Sequence, residues 1–159
     1  MLRSLLIGLV AGQRGLTPLA AIAVATQRGE VQADLPLQRL FLNPLIAEGA
    51  IALAGAEMAG DKMKSAPDRI IPIGLAVRSI TSAYAGAALA PKRQRAAAAT
   101  VAVAAALVSS YIGWRLRCAA MQSYGQTATG FVEDALVAGA GLAITNPTLL
   151  AGKGRARRR

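Results

Sequence analysis

The sequence predicts an all-α fold: a polytopic bundle of transmembrane helices with about five spans. Three observations carry this reading. Of the 159 residues, 54% are hydrophobic and mean hydropathy is +0.43. Charged residues make up 16%, where a soluble domain carries about a quarter. Several apolar runs approach the roughly 20 residues that cross a hydrocarbon core about 30 Å thick. Residues 1–151 form one membrane domain in this reading, and residues 152–159, "GKGRARRR", a polybasic tail.

The first element is Leu2 to Thr26, taken as one span with Arg14 near its centre. A cleaved signal peptide would instead use Arg3 as its basic start, Leu5 to Ala11 as its apolar core and Ala21-Ile22-Ala23 or Ala23-Val24-Ala25 as its cleavage motif. Arg14 interrupts that pattern and a second apolar stretch follows, which favours the span. Gln27 to Leu40 mixes charges with leucines and reads as a loop with a short interfacial piece. Phe41 to Gly60 is the second span, and the count falls to four if it only dips into the bilayer.

Ile70 to Ala90 and Ala96 to Trp114 follow, separated by the short basic turn Pro91-Lys92-Arg93-Gln94-Arg95, so they form an antiparallel pair. Both carry stripes of small residues at helical spacing, the pattern by which helices approach closely in lipid. The residues assigned to such packing are Gly8, Gly12, Ser79, Gly86, Ala102, Ser109, Gly113 and Gly139. The last span, about Thr129 to Leu150, has Glu133-Asp134 near its start and ends at Asn146-Pro147.

The net charge of +10 calls for an anionic partner, and the low charged fraction selects lipid over nucleic acid. The tail is expected to meet anionic headgroups, at about 1 kcal/mol for each basic residue near the surface. No recognisable nucleic-acid module accompanies it. The chain has no histidine, which removes the commonest general base and metal ligand, and no cofactor is expected. Its single cysteine, Cys118, has no internal disulfide partner and reads as a small filler residue. With five spans, Arg28, Arg39, Lys92, Arg93, Arg95 and the tail share one side, against Arg3, Lys62, Lys64, Arg69, Arg115 and Arg117 on the other. The positive-inside rule then leans toward a cytoplasmic C-terminus, an outside N-terminus and a multi-pass place in the plasma (inner) membrane.

An arginine at Arg14 facing lipid would cost at least about 2.5 to 3.5 kcal/mol, so it must face protein or water. Gly12, Gly15 and Pro18 around it predict a bent or broken helix. Glu57 and Asp61 lie one turn apart, Glu133 and Asp134 enter the final span, and Arg78 sits mid-segment. These six residues, Arg14, Glu57, Asp61, Arg78, Glu133 and Asp134, form the expected intramembrane charge cluster, each charge lowering the desolvation cost of the others. A weak internal echo links Ile7-Gly8-Leu9 and Arg14-Gly15-Leu16-Thr17 to Ile73-Gly74-Leu75 and Arg78-Ser79-Ile80-Thr81.

At these residues the sequence resembles the bacterial membrane-protein family called domain of unknown function 4126. The resemblance runs from Gly12, Arg14 and Pro18 through "AGAEMAGDKMKSAPDRIIP", with Glu57, Asp61-Lys62, Pro67 and Pro72, to Arg78 with "AGAAL", Tyr111 and Arg115, and "VEDALV" around Glu133-Asp134. It implies an integral membrane protein with no established activity. The loop Gln27 to Leu40 and the polybasic tail depart from it.

The sequence reading takes a structural or interaction role in the membrane first, with a small transporter or channel as the alternative. In a structural or interaction protein the cluster locks helices together, and replacing Arg14 or Glu57 lowers abundance. In a small proton- or ion-coupled transporter or channel the same change stops flux in a folded protein, and a homo-oligomer is expected because five short helices enclose little volume. A lipid-headgroup enzyme using Glu57 and Asp61 as metal ligands has less support, because a one-turn carboxylate pair is common.

Overall fold

A computed structural model describes residues 1–32, 34–60 and 71–146 of the chain, and the described residues are helical with no strand. The helices are α1 (Leu2–Gln13), α2 (Thr17–Gln27), α3 (Pro36–Leu40), α4 (Pro44–Gly60), α5 (Pro72–Ala88), α6 (Arg95–Tyr124) and α7 (Gln126–Thr145). A 3-10 turn, Lys92–Gln94, leads into α6.

Proline and glycine set the boundaries. Pro18, Pro36, Pro44 and Pro72 each stand in the first turn of a helix, where a missing N–H costs nothing and the fixed φ is already helical. The Asn43 side chain starts α4 by accepting from the Leu45 N–H at 3.0 Å. Gly125 turns α6 into α7 with φ 78° and ψ 162°, a conformation essentially reserved for glycine. Asn146 ends α7 in extended backbone, as the residue before a proline prefers.

Leu2 to Thr26, expected as one span with a bent or broken helix, breaks at Arg14 and folds back as a helical hairpin. Arg3, on the first turn of α1, lines the same pocket as Glu30 and Asp34, which follow α2. Two collinear helices of 12 and 11 residues would hold those positions roughly 35 Å or more apart at 1.5 Å per residue. The chain therefore reverses at residues 14–16, and α2 returns to the end from which α1 set out. The hairpin reaches about 18 Å into the bundle, the length of α1.

The other helices run the length of the bundle around it. The Gln27 amide donates to the Phe41 carbonyl, so α4 begins beside the end of α2 and runs antiparallel to it. From Pro72 α5 runs back, α6 runs outward beside α1, and α7 returns to place its last carbonyls under Arg3. That guanidinium donates from Nε to Ile144 O at 2.8 Å and from Nη2 to Thr145 O at 2.5 Å, satisfying acceptors that α7 leaves open.

The packing inverts the usual distribution of size. Buried positions are mainly small, and α1, α5 and α6 meet backbone to backbone at Ala102. A Cβ on Gly8 would collide with the Ala102 carbonyl, and one on Gly86 would lie 2.6 Å from the Ala102 methyl. Ser4 Oγ donates to Gly86 O at 3.0 Å across the same junction. Gly12 is equally confined by Ala106 and Ser109, and Gly113 by the Gln13 amide. Large apolar side chains point outward instead: Leu45 is 76% exposed, Ile80 70% and Leu136 69%.

One expected packing residue lies elsewhere. Gly139 is exposed, and a Cβ there would meet nothing within 4 Å; Gly141, two residues on and so on the other side of α7, faces Thr17 and Ala21. The Ser79 hydroxyl is turned into its own helix, donating to Leu75 O at 2.8 Å. Among the described residues α6 and α7 are the helices long and apolar enough to cross a membrane, while α1 and α2 are shorter apolar helices.

Candidate functional site at the hairpin tip

Breaking a helix at Arg14 frees backbone donors in the middle of the bundle, and the neighbouring helices supply what they need. Arg14 closes α1 in extended conformation (φ −139°, ψ 113°), its N–H still donating to Val10 O at 3.1 Å. The next two amides, Gly15 and Leu16, donate to Oε1 and Oε2 of Glu57, each at 2.8 Å. Glu57 on α4 thus caps the start of α2 from another helix, where a carboxylate also complements the helix dipole. Pro18 adds no amide to the set.

The Arg14 side chain runs the other way. It is 1% exposed; its Nε donates to Asp134 Oδ1 at 2.8 Å and its Nη2 stands 2.6 Å from the same oxygen. Glu133 Oε2 lies 4.0 Å from Arg14 Nη2 and accepts from Arg117 Nη1 at 3.2 Å. A chain of alternating charge, Arg117, Glu133, Arg14 and Asp134, therefore joins α6, α7 and the hairpin tip. On the opposite side of the tip, Arg78 is buried on α5 against Gly15: a Cβ there would lie 3.2 Å from Arg78 Cγ and 3.3 Å from Glu57 Oε1. A side chain at this position would require both neighbours to give by a few tenths of an ångström.

Of the six expected cluster residues, Arg14, Glu57, Arg78, Glu133 and Asp134 gather around residues 14–16. Asp61 lies outside the described residues. Arg117 belongs to the cluster although the sequence reading counted it among loop charges. It and Glu133 stand equidistant from Gly125, so an antiparallel α6–α7 pair brings them level, a signal available once the turn is placed at that glycine. Among the described residues three guanidinium groups, Arg14, Arg78 and Arg117, stand with three carboxylates, Glu57, Glu133 and Asp134, and opposite charges lower the cost of their shared burial.

The tip is also tied to α6. Gln13 Nε2 donates to Ser109 O at 2.9 Å and to Ser109 Oγ at 2.6 Å, and that hydroxyl donates to Leu9 O at 2.8 Å. Beyond the tip, where the hairpin no longer fills the bundle, α6 and α7 diverge around a cleft of about 570 Å³. Ile112, Leu116, Val132 and Leu136 form its walls, and Gln13, Arg117 and Glu133 its polar part. Among the described residues no group of three or more Asp, Glu or Cys side chains is placed to hold a metal ion. Guanidinium and carboxylate pairs can exchange partners or bind a competing ion, and nothing in the set resembles an activated nucleophile with its base.

No protein-family model, curated protein or solved structure matches this chain.

Proposed function

We propose that the chain is a multi-pass integral membrane protein of the transporter or channel class, proton- or ion-coupled, with the hairpin tip as its working centre. In this reading α4, α5, α6 and α7 cross the bilayer, and α1 with α2 enters from one side as a re-entrant hairpin. An outer surface of leucine and isoleucine around buried arginines is the reverse of what water favours, and it suits lipid. Non-helical backbone at that depth is tolerated only against protein or water, and residues 14–16 have both Glu57 and the charge cluster.

One observation carries the transport reading: the cleft between α6 and α7 ends on Gln13, Arg117 and Glu133, so the ion-paired tip has an approach from the half of the bundle that the hairpin leaves unfilled. Discontinuous helices with charged or polar contacts at their broken ends are how many transporters build a midplane site. Of the residues that carry the resemblance to domain of unknown function 4126, Gly12, Arg14, Pro18, Glu57, Arg78, Glu133 and Asp134 lie at or beside this tip, and membership is part of the proposal.

The balanced pairing of the cluster favours a second reading, a structural lock with no flux. Thiol labelling in intact cells separates the two. On a Cys118→Ser background, Leu116→Cys and Val132→Cys report the cleft walls and Gln13→Cys the tip. Transport predicts that a membrane-impermeant reagent reaches all three from the side opposite the termini. Protection of Gln13→Cys in a well-expressed variant would overturn it in favour of the lock.

A further inference from the structure

A second pocket, of about 380 Å³, lies at the opposite end of the bundle, where α1 begins, α5 ends and α6 begins. Its lining includes the side chains of Arg3, Lys92 and Arg95 and those of Glu30 and Asp34, three cations against two carboxylates. Asp34 Oδ2 is shared, 3.3 Å from Arg95 Nη2 and 3.6 Å from Lys92 Nζ. Arg3 spends Nε and Nη2 on the α7 carbonyls. Arg95 Nε, in contrast, is buried and has no hydrogen-bond partner among the described residues.

A cationic N–H without an acceptor is costly, and a polar pocket with surplus positive charge is where an acceptor-rich ligand removes that cost. Carbonyl ligands would leave the surplus charge unmatched, whereas a phosphate group answers both needs with oxygens that carry the charge. We propose that this pocket binds a phosphate group, its oxygens facing the Arg95 guanidinium and Lys92 Nζ, with Arg3 contributing positive potential. Two sources share this chemistry: the headgroup of an anionic phospholipid and a free phosphate or soluble phosphate ester. The lipid source rests on the membrane reading above; the pocket's chemistry does not.

The experiment uses the full chain purified in detergent. Retained phospholipid is measured after exchange through phosphatidylglycerol or phosphatidylcholine micelles, and inorganic phosphate and glycerol phosphate are titrated against chloride at matched ionic strength. Retention of phosphatidylglycerol over phosphatidylcholine assigns the lipid headgroup, and saturable binding of the soluble phosphates assigns the free anion; either supports the site. Arg95→Gln is expected to weaken binding about tenfold, the loss of one charge-assisted hydrogen bond. Lys92, 74% exposed in its side chain, provides a second variant, Lys92→Gln, that folds even if Arg95→Gln does not. Arg93→Gln, exposed and outside the lining, is expected to bind as the parent does. Absence of binding to all four probes, or equal loss in Arg93→Gln, overturns the proposal. A chain that binds phosphate yet is released from membranes by carbonate would overturn the membrane reading and leave the pocket standing.

Discussion

Glu57 accepts from two amides that belong to the start of another helix, so its removal affects α2 rather than α4. Glu57→Ala leaves the Gly15 and Leu16 N–H groups without an acceptor inside the bundle, at about 1–3 kcal/mol for each orphaned donor. Glu57→Gln keeps one carbonyl oxygen and is expected to cost less than the alanine variant. The melting temperature of detergent-purified protein checks this order, and melting of both variants at the parent's temperature would mean the cap contributes nothing. Arg14 offers a sharper test. Breaking a buried ion pair on one side typically costs about 3–5 kcal/mol, because the remaining charge is stranded. Arg14→Gln is therefore expected to lose more stability alone than Arg14→Gln with Asp134→Asn, a double variant that strands no carboxylate at Oδ1. Double-mutant analysis of the four proteins measures the coupling, and strict additivity would show that the two side chains do not act as a pair.

Among the elements, α6 is the most legible in the sequence, because an uncharged run of helical length, Ala96 to Trp114, with a small-residue stripe leaves few alternatives. The stripe translates into contacts at Gly8, Gly12, Gly86 and Ala102, where helices touch through backbone. Its weakness is that glycine in an apolar helix looks the same whether it meets a neighbour or open space, which is why Gly139 was drawn into the set and Gly141 left out. The two cases differ in outcome. Gly8→Ala forces a methyl against the Ala102 carbonyl and is expected to cost about 1–3 kcal/mol as overpacking. Gly139→Ala meets nothing and gains helix propensity, so it is expected to be neutral or stabilising by up to about 1 kcal/mol. Thermal unfolding of the two variants side by side checks the contrast; a neutral Gly8→Ala would contradict the tight α1–α6 junction.

At the scale of the whole molecule, the direction of the chain was the part hidden from sequence. Hydropathy measures how long an apolar run is, and Leu2 to Thr26 has the length of a span whether it continues or doubles back. Glycine, proline and arginine announced the break, but a break and a reversal share those residues. The reversal changes the charge balance. In the proposed membrane reading, a hairpin of α1 and α2 places Arg3 with Arg28, Arg39, Lys92, Arg93 and Arg95 at one end, against Arg115 on α6. In that reading a narrow lean becomes a strong asymmetry, and the positive-inside rule predicts that this end faces the cytoplasm. Five straight spans require the termini on opposite sides, so the two topologies disagree on a simple observable. A fluorescent protein that matures only in the cytoplasm, fused in turn to Met1 and to Arg159, is expected to be bright at both ends. An alkaline phosphatase active only outside is expected to report when inserted at Gly125, the α6–α7 turn. A dark N-terminal fusion in an expressed protein would mean that α1 and α2 cross the bilayer, and with them would go the half-filled bundle and the approach to Arg14 that it leaves open.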